Sequence, residues 1–189
     1  MISRVEALKI LARKVTDEVV VCAFGSVGNQ WRLLPKGEGS LNSCGAMGLA
    51  APIGLGVALA APHKKVLVLD GDGALLMNLG CLATIARQNP PNLVHLVFEN
   101  RVYASAGGQP IVNAGAVDFP GLARSAGIKD VYLIEKIGDF KAKVEYFLKA
   151  RALIFAAIRV RADEPFPEEK DVDYVVEKLR FMEKIRLKA

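Results

Sequence analysis

Asp72 stands between Gly71 and Gly73 just after an apolar run, Val66-Leu67-Val68-Leu69, and Asn100 follows Glu99 at the end of a second apolar run, Leu93 to Phe98. If both runs are parallel strands, their polar ends fall on one edge of the sheet. The 25 residues from 74 to 98 that separate them are enough for a crossover helix. A carboxylate and an amide oxygen then meet beside bare glycine backbone. That donor set suits Mg²⁺ carrying a diphosphate, because Mg²⁺ prefers oxygen ligands, takes one or two protein carboxylates and fills its shell from phosphate and water. Asp-Gly alone is also an ordinary turn dipeptide, so the weight rests on Asn100 at the matching spacing.

A diphosphate also needs N–H donors, which the first turn of a helix supplies. Gly73 and Ala74, opening the helix after the first run, are placed to give them. Gly25 and Ser26, ending an earlier apolar run, reach the same group from a neighbouring loop, although Ser26 reads equally well as a turn serine. Tyr103, Ser105 and Gln109 sit in a Gly- and Ser-rich segment with the composition of an active-site loop, and face a substrate only if that loop does. Arg101 is a further attractor for an anionic group. His95, inside an apolar strand, and His63, in a proline-flanked loop, read as structural, without a partner at ligand spacing.

These residues need a scaffold of alternating elements. Periodicity and turn residues predict a helix over 3–14, a strand at 19–23, a short helix at 29–34, an extended piece at 41–43 and an apolar helix over 47–61. A strand at 65–70, a helix over 75–88 and a strand at 93–98 follow, then an irregular loop over 101–117. The rest reads as helix 119–126, strand 131–134, helix 138–150, strand 153–160, an acidic proline-bearing stretch at 163–171 and a charged helix over 172–187. Such alternation makes an α/β fold, a doubly wound parallel sheet with helices on both faces. The 189 residues, 52% hydrophobic, are expected to form a single domain.

Composition narrows the function. The net charge of +5 comes from 25 basic and 20 acidic residues interspersed along the chain, without the clustered basic face that nucleic-acid binding requires. Leu41 to Pro62 carries no charge but is rich in Ala and Gly and contains Pro52, so a buried small-residue helix is expected there, not a membrane span. Its glycines let backbone approach a cofactor or a partner helix. Cys22, Cys44 and Cys81 form neither a zinc spacing nor a disulfide framework, and the first 21 residues lack a signal peptide; a cytoplasmic protein with reduced thiols is the expectation.

The GDG at 71–73 followed by Asn100 resembles the signature of thiamine-diphosphate enzymes. The wider stretch from Cys44-Gly45-Ala46-Met47-Gly48-Leu49-Ala50 through Gly71 to Gly80 and on to Gly107-Gly108-Gln109-Pro110 is similar to the diphosphate-binding domain of sulfopyruvate and phosphonopyruvate decarboxylases. The likeness fades in the charged tail. It implies thiamine diphosphate and Mg²⁺ as cofactors, with Asp72, the Asn100 side chain and the Val102 carbonyl as metal ligands. It also implies that Gly45, Ala46 and Met47 hold the aminopyrimidine ring, Met47 wedging the cofactor into its bent form; from the residues alone Met47 reads as core. Glu99 departs from the pattern, which usually has Asn or Asp before the asparagine, and puts the packing of that corner in question.

In such enzymes a glutamate on a separate pyrimidine-binding domain activates the ring. The chain has no room for that domain, so the resemblance implies a hetero-oligomer with a pyrimidine-domain alpha subunit, this chain supplying no activating residue and being inactive alone. Its expected role is the beta subunit of a 2-oxo-acid decarboxylase acting on sulfopyruvate, in coenzyme M biosynthesis. Phosphonopyruvate decarboxylation and carboligation of the acetolactate-synthase type are the enzymic alternatives. A non-catalytic cofactor-binding or scaffold subunit is the alternative of another class.

Overall fold

The computed structural model describes residues 1–42, 45–165 and 172–186. In chain order the strands are β1 (Val19–Cys22), β2 (Leu41–Asn42), β3 (Val66–Gly71), β4 (Leu93–Glu99), a short pair β5 (Val102–Tyr103) and β6 (Gln109–Pro110), β7 (Asp130–Ile134) and β8 (Ile154–Arg159). All but β5 and β6 join one parallel sheet in the order β2-β1-β3-β4-β8-β7. The central strands read as unbroken Val and Leu because the sheet is covered on both faces.

The helices are α1 (Arg4–Lys14), α2 (Ser26–Arg32), α3 (Ala50–Ala60), α4 (Asp72–Leu76), α5 (Cys81–Gln88), α6 (Phe119–Ser125), α7 (Ile137–Lys149) and α8 (Tyr174–Arg186). One face of the sheet is packed by α1, α2 and α7, whose Leu8, Leu11, Trp31 and Phe140 meet Leu67, Leu69 and Phe98. The other is packed by α3 to α6 and by Phe181 of α8. The doubly wound α/β expectation therefore holds. The uncharged stretch forms the helix α3, which starts at Ala50 where 47 was expected and is buried on one face only, Leu59 being 51% exposed; a Cβ on Gly54 would lie 2.2 Å from Val68 Cγ2, so α3 sits on β3 closer than any side chain allows. Among the described residues no helix is long and apolar enough to cross a membrane.

Several boundaries differ from the pattern-based reading. The helix expected over 75–88 is two pieces, α4 and α5. Between them Met77 and Asn78 make tight bonds back to Ala74 and Leu75, and Asn78 Nδ2 donates to the Gly48 carbonyl at 2.9 Å, which locks the break. The short helix expected from 29 starts at Ser26, directly after the glycine turn. The loop over 101–117 holds the antiparallel β5–β6 pair. Ser43, Cys44, residues 166–171 and residue 187, within elements expected from the sequence, lie outside the described residues.

His95 is the structural residue its apolar strand implied. It is fully buried on β4, and its Nε2 lies 3.1 Å from Asp70 Oδ2 on β3, with the ring edge-on to Phe155. A carboxylate inside a sheet needs such a neighbour.

Strand order fixes where a ligand belongs. From β1 the chain moves outward to β2 and then returns to the other side of β1 as β3, so the connections after β1 and β3 leave on opposite faces. The crevice at such a reversal, beyond the carboxyl ends of the strands, is where open α/β sheets bind ligands.

Candidate functional site

Gly25 and Ser26 follow β1 and Gly71 to Ala74 follow β3, so the switch point is walled by residues singled out from the sequence. Asp72 is the first helical residue of α4, 2% exposed. The register pairing Gly71 with Phe98 carries Asn100 to the same edge, one residue past the end of β4. A small cleft of about 40 Å³ opens there, lined by Gly25, Ser26, Met47, Asp72, Asn100 and Tyr103 among others.

Among the described residues, the Asp72 carboxylate is held by main-chain N–H groups. Its Oδ1 accepts from the Gly73 N–H at 2.8 Å and its Oδ2 from the Arg101 N–H at 2.6 Å. Arg101 adopts φ 65°, a left-handed conformation that non-glycine residues rarely take, and this turns its N–H onto Asp72. Asn100 Oδ1 accepts from the Val102 N–H at 3.2 Å, which fixes the amide and orders the turn between the two ligand candidates. Burial pushes the Asp72 carboxyl up to about 6; the Arg101 and Gly73 N–H groups oppose the rise, and the Glu99 charge adds to it. No basic side chain among the described residues pairs with Asp72, so its buried negative charge is left for a cation to neutralise.

Glu99 resolves the question its departure raised. It is buried, with Arg101 Nε at 3.0 Å and Arg159 Nε at 3.5 Å, so the longer acid is accommodated by two basic partners. Arg101 thus serves through its main chain at Asp72 and through its guanidinium at Glu99. The main-chain role carries no sequence signal beyond its place after Asn100.

The other candidates divide. Gly73, Ala74, Val102, Tyr103 and Ser105 line the cleft with Asp72. The Tyr103 ring covers Gly73, where a Cβ would meet its Cε1 at 2.4 Å, so glycine is required to let the loop close over the helix start. Ser105 sits against Gly25, which has φ 109°. Gly45, at φ 81°, and Ala46 approach the cleft only through Met47, and Gln109 is exposed on β6. Sequence reasoning missed Phe24, Phe98 and Val160, which also line the cleft. They are indistinguishable in sequence from ordinary core.

Oxygen donors, one carboxylate and an unpaired buried charge fit Mg²⁺ with a diphosphate. Among the described residues no cluster of three or more His, Cys, Asp or Glu offers an alternative metal seat. A volume of about 40 Å³ admits a cation with water but falls well below the roughly 300 Å³ at which complete small-molecule pockets begin, so most of a larger ligand would lie outside this chain. Both described thiols are buried, Cys81 pushed up to about 11 by burial and Cys22 raised further, which leaves neither as a nucleophile.

Comparison with known proteins agrees with this geometry. Over residues 26–158 the chain matches the family model described as thiamine pyrophosphate enzyme, C-terminal TPP binding domain. It is 33% identical to the sulfopyruvate decarboxylase subunit beta of Methanothermobacter thermautotrophicus over 98% of this chain and 97% of that one. It is 41% identical to a phosphonopyruvate decarboxylase of Streptomyces viridochromogenes over 72% of this chain, spanning 34% of that protein. Among solved structures, one of a Mycobacterium smegmatis protein described as thiamin diphosphate-dependent aligns with a TM-score of 0.69 at 18% identity, over 85% of this chain and 32% of the other, and shows the shared fold. With a family model covering residues 26–158 and a relative matched over nearly its whole length, the chain belongs to the thiamine pyrophosphate enzymes and carries their C-terminal TPP-binding domain.

Proposed function

We propose that this chain is the beta subunit of a heteromeric, thiamine-diphosphate- and Mg²⁺-dependent decarboxylase that converts sulfopyruvate to sulfoacetaldehyde and carbon dioxide. The end-to-end match with a sulfopyruvate decarboxylase subunit beta carries this reading; the phosphonopyruvate decarboxylase is matched over only a third of its length. Asp72, the Asn100 side chain and the Val102 carbonyl would hold Mg²⁺. The N–H groups of Gly73 and Ala74, with Gly25 and Ser26, would hold the diphosphate, and Gly45, Ala46 and Met47 the aminopyrimidine. Bound there, thiamine diphosphate supplies an electron sink for the pair released when the carboxylate leaves as carbon dioxide.

The chain's own contribution is placement. The Asp72–Arg101 and Asn100–Val102 bonds fix two ligand oxygens before the ion arrives, and Tyr103 closes the loop over the diphosphate end. The activating glutamate would come from a pyrimidine-domain alpha subunit docked across the cleft. Exposed Leu49 and Met77, joined through the Asn78–Gly48 bond, offer apolar surface beside the opening for that partner. The chain would act as a single domain in the cytoplasm, with its thiols reduced. Tyr103, Ser105 and Gln109 are the residues placed to meet substrate from this side.

The test is co-expression with the pyrimidine-domain subunit and measurement of carbon dioxide release. Mg²⁺-dependent turnover of sulfopyruvate, faster than of phosphonopyruvate and absent from either subunit alone, is expected. A stable complex that binds the cofactor but decarboxylates no 2-oxo acid overturns the proposal and favours a scaffold role. A new carbon–carbon bond in the product favours carboligation.

A further inference from the structure

One buried cation takes no part in the assignments above. Arg4, the first residue of α1, is 1% exposed. Main-chain bonds fix its place: the Ile2 N–H donates to the Arg159 carbonyl at 3.4 Å and the Arg161 N–H to the Ile2 carbonyl at 3.0 Å, so α1 starts beside the carboxyl end of β8. From there Arg4 lines the cleft at the switch point together with Ser26, Asp72, Asn100, Tyr103 and Ser105, and among the described residues it is the one basic residue that does.

A guanidinium carries only N–H donors and is costly to bury without acceptors. Here Nη2 donates to the Pro165 carbonyl at a long 3.4 Å, and Nε, buried, has no hydrogen-bond partner among the described residues. Glu164 offsets the charge without bonding it: its Oε2 stands 3.7 Å from Nη2 and instead accepts from the Arg4 main-chain N–H at 3.1 Å. Burial accordingly holds the guanidinium below the ordinary arginine value, and the Glu164 charge only partly opposes this. A buried ion pair adds stability only when its geometry is close and its remaining donors are satisfied, and this one meets neither condition. Arg4 is therefore the counterpart of Asp72: one cleft is lined by a buried carboxylate without a basic partner and by a buried guanidinium with an unbonded donor.

Both line the cleft, yet among the described residues no ion pair joins them, which leaves each for a ligand of opposite charge. Mg²⁺ shared between Asp72 and a diphosphate has part of its charge taken up by the carboxylate, so the phosphate oxygens keep negative charge for a second cation to meet. A planar, forked guanidinium suits such oxygens. We propose that Arg4 is an anion-binding residue of this cleft, its buried Nε–H donor reserved for the diphosphate end of the cofactor. This rests on the function proposed above. A hydrogen bond to a charged group is worth on the order of tenfold to a hundredfold in affinity.

The experiment is calorimetric binding of inorganic pyrophosphate with Mg²⁺ to the complex with the pyrimidine-domain subunit. Arg4→Met, which keeps the apolar stem but loses the charge and the fork, should weaken pyrophosphate by about tenfold or more. Glu164→Gln keeps an acceptor for the Arg4 N–H and removes the charge that competes for the guanidinium, so it should leave pyrophosphate binding unchanged or tighter. In the wild-type complex, with labelled arginine in this chain, the Arg4 Nε–H resonance should shift when pyrophosphate and Mg²⁺ are added; this reading does not depend on any variant folding. Wild-type affinity in Arg4→Met, an unmoved Nε–H resonance, or equal weakening by Glu164→Gln, the mark of a purely structural pair, overturns the assignment. So does an Arg4→Met complex that binds pyrophosphate normally yet has a raised KM for sulfopyruvate, which moves Arg4 to the acid group of the substrate. Wild-type complex that binds pyrophosphate but no thiamine diphosphate overturns the proposed function instead, and the Arg4 readings still decide whether this cleft binds anions through it.

Discussion

Asp72 makes the apo protein sensitive to pH in an unusual direction. Its carboxyl is raised in the folded state from the ordinary 3.8 to about 6, chiefly by burial. A raised acid binds its proton more tightly folded than unfolded, so between those two values the folded chain carries more protons and loses stability as pH rises. Roughly two pH units at 1.36 kcal/mol each give about 3 kcal/mol in all, of which about 2 kcal/mol fall between pH 4.5 and 7.5. The assay is urea unfolding of the full chain in EDTA at those two pH values, for wild type and Asp72→Asn. Other titrating groups are common to both proteins, so the difference of differences isolates Asp72, with wild type losing about 2 kcal/mol more than the variant. If Asp72 is the ligand proposed above, Mg²⁺ with thiamine diphosphate should reverse the trend, since the ion would require the ionised carboxylate; at a hundred times the dissociation constant, binding adds about 2.7 kcal/mol. Identical pH dependence in the two proteins would refute the claim that Asp72 is a buried, uncompensated charge.

Three further outcomes test other parts of the structure. Asn100→Ala removes one proposed ligand oxygen and the acceptor that orders the Val102 N–H; Mg²⁺ affinity of the complex should fall at least tenfold, on the order of what disturbing a metal site costs, by metal titration of activity and of cofactor binding. Gly54→Ala should destabilise by about 1–3 kcal/mol, because the new Cβ meets Val68 Cγ2 at 2.2 Å; adding Val68→Ala should recover part of that loss in urea unfolding. His95→Leu, which takes Nε2 away from Asp70 Oδ2 and leaves that buried carboxylate bonded to the Gly71 N–H, should cost about 1–3 kcal/mol, whereas replacing both residues with apolar ones should cost far less.

The fold was legible because a covered parallel sheet writes itself as unbroken apolar runs separated by helical periods, and β1, β3, β4 and β8 are such runs. Asp72 and Asn100 were legible as a pair because strand register forces residues at matching strand ends together. What stayed hidden depends on contacts that residue type does not encode. The break between α4 and α5 comes from Asn78 reaching the Gly48 carbonyl, and nothing in Met77-Asn78-Leu79 distinguishes it from a continuing helix. His95 read as structural, but its Asp70 neighbour was hidden because it lies 25 positions away and meets it through the pairing of β3 with β4. The proposed cation seat also depends on the Arg101 main chain, which has a φ of 65° and donates to Asp72.

The treatment of acidic groups at this sheet edge separates structure from function. Three carboxylates, Asp70, Asp72 and Glu99, lie within the last residues of β3 and β4 or just beyond them, and all are at most 3% exposed. Burying a carboxylate is unfavourable unless a neighbour offsets it. Asp70 has His95, and Glu99 has both Arg101 and Arg159. Asp72, with two main-chain N–H groups and no basic side chain among the described residues, is the exception. Those two bonds orient it without neutralising it, the arrangement expected of a ligand rather than of a structural ion pair. A lysine or arginine beside Asp72 would stabilise the apo chain and exclude Mg²⁺ by occupying its charge. Among the described residues, the absence of a basic partner for Asp72 is therefore the feature of the fold that best supports the proposed metal seat.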